Sequence, residues 1–171
     1  MSIRFSIAVL LIVAVAGCGQ AKKEDKKTAK TGSDKTVAQD KGDYNPHDVP
    51  ITDEQKAELK KQTAKFPNAV AKVKEFRNAT EAETKNGIPQ NPYKAHQALD
   101  QADLLLQWLP GIARDSGVPA DQFESVTTTA NDLRTLFEQV HQNIDNKKDP
   151  NFAAVAGEID QKIGQLEKIS K

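Results

Sequence analysis

Apolar side chains recur every three or four positions from about residue 52 to the C-terminus. That spacing places them on one face of an α-helix. Thr52 with Gln55 has the form of a capping box and marks the start of a first helix, and Asn86-Gly87 marks its end. No stretch alternates with a period of two over a useful length, so the pattern predicts an all-α domain.

Three more helices follow by the same rule. The second begins at Asn91-Pro92 and ends at Gly117, and the third and fourth begin near Pro119 and Pro150. The residues of the four apolar faces are Leu59, Phe66, Val70, Val73 and Phe76; Ala95, Ala98, Leu99, Ala102, Leu105, Leu106 and Leu109; Phe123, Val126, Ala130, Leu133, Phe137, Val140 and Ile144; and Phe152, Val155, Ile159, Ile163, Leu166 and Ile169.

Four amphipathic helices with short connections favour antiparallel neighbours. We therefore predict an up-down-up-down four-helix bundle over residues 51–171. Pro67 and Pro110 lie inside the first two helical patterns. Proline removes a backbone hydrogen bond and clashes with the carbonyl four residues back, so each should kink or break its helix.

The N-terminus has a different pattern. The basic residue Arg4 precedes an almost purely apolar run over residues 5–16, which ends in small residues before Cys18. A helix needs about 20 apolar residues to span a bilayer, so the run is too short for a membrane anchor. It predicts a secretory signal peptide over residues 1–17.

Val15-Ala16-Gly17-Cys18 resembles the lipobox of bacterial lipoproteins. The resemblance implies that the Cys18 thiol carries diacylglycerol, that the bond before it is cut, and that the new N-terminus is acylated. It also implies a lipid anchor in the cell envelope, and Gly19 favours the periplasm-facing outer membrane where the organism has one. The alternative is an ordinary secretory signal followed by an unmodified Cys18.

Residues 18–50 include almost no apolar side chains that could pack into a core. Apart from alanine, Val37 is the only aliphatic residue between the cysteine and Val49, and acidic and basic side chains are mixed. Such a segment buries too little apolar surface to offset its ordering entropy, so we predict a disordered, charged tether. About 30 flexible residues span roughly 30 Å, which would hold a domain clear of the bilayer.

Charge and cysteine content exclude several classes of protein. Lys plus Arg and Asp plus Glu number 24 each, so no net charge attracts nucleic acid. A single cysteine excludes an internal disulfide and haem attached through Cys-x-x-Cys-His, and Met1 is the only methionine, which excludes Met/His haem ligation in the mature chain. The sequence has neither a phosphate-binding glycine loop nor a Gly-x-Ser-x-Gly elbow, and we expect no enzyme.

His96 and His141 are the candidate metal ligands. Counted outward from Gly117 at about 1.5 Å per residue, they lie at nearly the same level if the second helix continues through Pro110. With a carboxylate or water they would bind zinc, copper or haem iron. The alternative is two histidines at the core boundary, each hydrogen-bonded to water. Glu138-x-x-His141 is a single copy of a dimetal motif that needs two.

Leu104 and Trp108 lie off the centre of the apolar face of the second helix. They mark either an exposed patch for a partner or the widened edge of a buried face. The sequence as a whole predicts an envelope-anchored, non-enzymatic structural or interaction module, whose partners are other envelope proteins or a second copy. The alternative is a periplasmic metal or haem carrier that uses His96 and His141. The covalent lipid is the only attached group that we expect.

Replacement of Cys18 tests the anchor. Cys18→Ser removes the thiol to which lipid would attach, so we expect the protein to leave the membrane fraction or to stall at precursor mass. Cell fractionation and intact mass measure this, with Gln20→Ser as a neighbouring control that keeps the thiol. A Cys18→Ser protein that is fully processed and membrane-bound would contradict the lipid anchor.

Overall fold

The computed structural model describes residues 50–171. This range contains α1 (Asp53–Gln62), α2 (Phe66–Thr84), α3 (Tyr93–Asp115), α4 (Phe123–Asp145) and α5 (Phe152–Ile169), with a 3-10 helix at Ala120–Gln122. The described residues include no strand, so the prediction of an all-α domain is confirmed. The predicted signal peptide, Cys18, His47 and the predicted tether up to residue 49 lie outside the described residues.

The first predicted helix is divided into α1 and α2. The capping box is formed as predicted: the Thr52 backbone N–H donates to Gln55 Oε1 at 2.9 Å, and the Gln55 N–H donates to Thr52 Oγ1 at 3.2 Å. Backbone and Thr52 hydrogen bonds hold the pKa of the exposed Glu54 carboxyl below its usual value. The helix ends at Gln62, and Lys65 is extended before α2 begins.

Pro67 explains this division. A proline here clashes with the carbonyl of Thr63 if the helix is continuous, but it is tolerated in the first turn, where backbone N–H groups have no partner within the helix. Pro67 is accordingly the second residue of α2. The N–H of Phe66, the first residue, donates instead to Ser116 Oγ at 2.8 Å, at the end of α3.

At Pro110 the outcome is different, because α3 continues through the proline. Leu106 and Leu109 before it and Ala113 after it are all buried, with 0–1% of their surface exposed. Packing of an apolar face supplies most of the stability of a helix in a protein, and here it outweighs the lost backbone bond. The histidine on α3 therefore keeps the axial position that the sequence predicts.

One core cluster joins all five helices. It contains most of the predicted face residues. Of the remaining ones, Ala98 is buried, and Phe76, Phe123, Val155 and Ile169 are partly buried. The helical period of the apolar residues therefore identifies the buried face of every helix. No helix among residues 50–171 is long and apolar enough to cross a membrane.

Helix α3 runs antiparallel to α4. His96, near the start of α3, lies beside Asp145 at the end of α4, whereas Asp103, further along α3, pairs with Arg134 nearer the start of α4. The same opposed order holds between α4 and α5, in the pairs Thr129–Gln165 and Asp132–Lys162. It also holds between α2 and α5, in the pairs Lys74–Glu167 and Arg77–Asp160. Helix α4 thus packs antiparallel to both α3 and α5, and α5 also packs antiparallel to α2.

Helices α3 and α4 end in the same way. After α3, the N–H of Gly117 donates to the Arg114 carbonyl at 3.1 Å, and the next N–H donates to the Ala113 carbonyl. After α4, Lys147 takes the position of the glycine, with φ of 53° against 78° for Gly117. This Schellman arrangement needs a left-handed residue, which strains any side chain with a Cβ.

Replacement of the left-handed Lys147 by glycine should therefore stabilise the protein. We expect Lys147→Gly to raise the free energy of unfolding by about 0.5–1 kcal/mol, because glycine adopts this conformation without steric strain. Urea unfolding followed by circular dichroism measures the change. The matched control, Gly117→Ala, should lower stability, and a loss of stability in Lys147→Gly would contradict the assignment of strain.

Candidate metal centre

A histidine and an aspartate are separated by four positions on both α3 and α4. His96 and Asp100 lie on α3, and His141 and Asp145 lie on α4. Residues four apart on a helix are neighbours on one face. Because the two helices are antiparallel, the two His-x-x-x-Asp pairs meet with His96 beside Asp145 and His141 beside Asp100.

The two imidazoles are in direct contact. His96 Nδ1 lies 2.7 Å from His141 Nε2, which is hydrogen-bond distance, so one ring donates and the other accepts. The ring centroids are 4.7 Å apart, and the ring planes are inclined by 61°. His96 is 2% exposed, whereas His141 is partly exposed at the surface.

Carboxylates surround this pair. Asp145 Oδ1 lies 3.4 Å from His96 Nε2 and 3.8 Å from His141 Nε2. Asp100 Oδ1 lies 3.9 Å from His141 Nε2, and Glu138 Oε2 lies 3.9 Å from the other nitrogen of the same ring. One potential ligand atom from each of His96, His141 and Asp145 lies within 4.8 Å of the others.

The chain matches no known protein-family model, and no curated protein or solved structure is significantly similar to it.

The structure brings His96 and His141 together at one level of adjacent helices, as the residue count from Gly117 predicts. His96 is buried in the core, whereas His141 lies at its edge. Sequence reasoning missed Asp100 and Asp145. The signal that would have identified them is the repeated His-x-x-x-Asp spacing, read together with the antiparallel order of α3 and α4.

A nearby ion pair between the same helices provides a useful comparison. Arg134 Nε donates to Asp103 Oδ1 at 2.7 Å, and both side chains are partly exposed. In this pair a permanent positive charge balances the carboxylate. At the cluster, two imidazoles lie beside the carboxylates, and neutral imidazole is a common metal ligand.

Leu104 and Trp108 are partly buried and pack against the core. The ammonium of Lys60 lies 5.0 Å from the centroid of the Trp108 ring. Trp108 also borders a surface groove of about 500 Å³ between the end of α1 and the C-terminal half of α3. The groove is lined by Lys60, Thr63, Ala64, Gln107, Trp108, Gly111, Ile112 and Asp115. Trp108 thus combines a packing role with a position beside an accessible groove.

Proposed function

We propose that this chain is a lipid-anchored envelope protein whose helical domain binds a divalent transition-metal ion without catalysing a reaction. The observation that carries the proposal is the convergence of His96, His141 and Asp145, whose potential ligand atoms lie within 4.8 Å of one another. Imidazole nitrogen with carboxylate oxygen is a donor set of zinc sites, and it is also compatible with copper or nickel.

A single ion suits the cluster better than haem does. A haem held by both imidazoles has to fit its flat macrocycle between them, yet the rings of His96 and His141 are in hydrogen-bond contact. A bare ion needs far less space than haem, and a turn of the His96 ring away from this contact would make room for it. The short distance between the two rings therefore favours a carrier that binds a metal ion over one that binds haem.

The anchor in this proposal comes from the lipobox resemblance of Val15-Ala16-Gly17-Cys18. A lipid on Cys18, followed by a charged tether over residues 18–50, would keep the domain at the envelope and clear of the bilayer. We further propose that α2, α3, α4 and α5 form an up-down-up-down four-helix bundle. The antiparallel contacts of α3 with α4 and of α5 with both α4 and α2 support this arrangement.

Metal binding is tested on the full chain in detergent, in a Cys18→Ser background that removes the only thiol. We expect Zn²⁺ titration calorimetry to give one ion per chain. His96→Ala and His141→Ala should each lower the affinity by at least about tenfold, because each removes a ligand. His47→Ala is the matched control and should leave the affinity unchanged.

A second readout separates loss of the site from loss of the fold. Circular dichroism of each variant without metal should retain the helical signal of the parent protein. Absence of Zn²⁺, Cu²⁺ and Ni²⁺ binding by the folded parent would contradict the proposed function, as would unchanged affinity in both histidine variants.

The second candidate function is that of an interaction module that binds an envelope protein or a second copy. The groove beside Trp108 favours it, because an aromatic side chain there borders an accessible depression. Gly111 lies in this groove, and a Cβ at this position meets no atom within 4 Å. A side chain introduced at residue 111 therefore blocks the groove without removing core packing.

Gly111→Gln tests the interaction module. We expect it to abolish crosslinking of the protein to its envelope partner or to itself in intact cells, while the helical melt is retained or raised. Gly157→Gln is the matched control, because it also replaces a helical glycine that faces open space. Equal crosslinking in both variants would contradict a docking role for the groove.

A further inference from the structure

We infer that Asp100 completes the metal centre, so that α3 and α4 together provide a closed, four-coordinate His₂Asp₂ site for zinc. The inference rests on the proposed metal-binding function and extends it in two respects. It adds a fourth protein ligand, and it assigns the ion to the class that prefers tetrahedral nitrogen and oxygen ligands.

The cluster repeats the same spacing of ligands on both helices. Each helix contributes one histidine and, one turn later, one aspartate: His96 and Asp100 on α3, His141 and Asp145 on α4. Because α3 and α4 are antiparallel, an approximate twofold axis between them relates one His-x-x-x-Asp pair to the other. If Asp145 is a ligand, Asp100 occupies the equivalent position on the other helix.

Several separations between potential ligand atoms can be compared with those of a tetrahedral zinc site. Zinc bonds of about 2.0–2.2 Å place tetrahedral ligand atoms about 3.4 Å apart. Asp145 Oδ1 lies 3.4 Å from His96 Nε2 and 3.8 Å from His141 Nε2, and Asp100 Oδ1 lies 3.9 Å from His141 Nε2. Three of the six edges of the tetrahedron thus exceed the ideal by at most half an ångström, and Asp100 has to turn toward His96 and Asp145 to complete the other edges.

A bound ion would replace the direct contact between the two imidazoles. His96 Nδ1 and His141 Nε2 lie 2.7 Å apart, closer than two nitrogens bound to one zinc. The His96 ring has to turn so that Nε2, which already lies beside Asp145, faces the ion. The ion then takes the place of the shared hydrogen bond.

The donor set also limits the identity of the ion. Mg²⁺ and Ca²⁺ take oxygen ligands, so two imidazoles disfavour them. Four protein ligands close a tetrahedral zinc site, whereas catalytic zinc sites keep one position open for water or substrate. A closed site agrees with a protein that stores, senses or is stabilised by zinc. It would also link α3 to α4, and binding to the folded state alone raises the melting temperature.

A cysteine at position 100 allows metal binding at this position to be detected by absorption spectroscopy. In the Cys18→Ser background, Asp100→Cys places the only thiol of the full chain at the proposed fourth position. Co²⁺ is added in detergent as a probe for zinc. Zinc–sulfur bonds of about 2.3 Å are longer than zinc–oxygen bonds, which offsets part of the shorter reach of the cysteine side chain. We expect tetrahedral d–d bands and a near-ultraviolet thiolate-to-cobalt band, both removed by one equivalent of Zn²⁺.

Asp103→Cys is the matched control. It places a thiol on the same helix and near the same helix pair, but at the Arg134 ion pair. We expect no thiolate-to-cobalt band from it. Asp100→Asn, which retains the shape of the side chain, should lower Zn²⁺ affinity by at least about tenfold relative to the Cys18→Ser parent.

The outcomes separate this inference from the proposed function. If Asp100→Cys binds Co²⁺ without the thiolate band and Asp100→Asn keeps the parent affinity, Asp100 is not a ligand, although a three-ligand site stands. If the folded parent binds neither Co²⁺ nor Zn²⁺, both proposals are wrong. If Asp100→Cys fails to fold by circular dichroism, the affinity of Asp100→Asn decides.

Discussion

The packing of α3 against α4 is the interaction on which the rest of this structure depends. Each helix has 23 residues and presents a continuous apolar face, with Leu99, Leu106, Leu133 and Val140 all buried. Because this interface keeps α3 helical through Pro110, residues on either side of the proline stay in one register. The antiparallel alignment then determines which side chains meet at the far end, where the histidine–aspartate cluster lies.

The cluster replaces apolar packing with polar contacts at one end of this interface. Burial of an imidazole removes it from water, and that cost is offset only when hydrogen bonds or ions replace the water. His96 obtains such a partner from His141 across the interface, and Asp145 lies beside it. The two imidazoles and the carboxylates of Asp100 and Asp145 thus form a partly enclosed polar cluster at this end of the interface.

Local patterns predicted much of this fold because helix formation depends on signals that are close in sequence. The apolar period identified the buried face of every helix, and Thr52 with Gln55 formed the expected cap. The end of α1 before residues 63–65 was harder to predict, because Pro67 is compatible with either a kinked helix or the start of a new one. The new helix is favoured by Ser116, fifty residues away, which accepts the N–H of Phe66. The left-handed residue Lys147 has no sequence signal, because non-glycine residues rarely adopt that conformation.

The sequence by itself determined the helical class, the buried faces and the approximate level of His96 and His141, because period and rise per residue are properties of a single helix. It also carries the lipobox-like segment ending in Cys18, which is read from local pattern alone. Only the tertiary structure decided that Asp100 and Asp145 join the histidines, and that Trp108 both packs and borders a groove. Those outcomes depend on the rotation and register of one helix against another, which arise from the fit of many side chains across an interface.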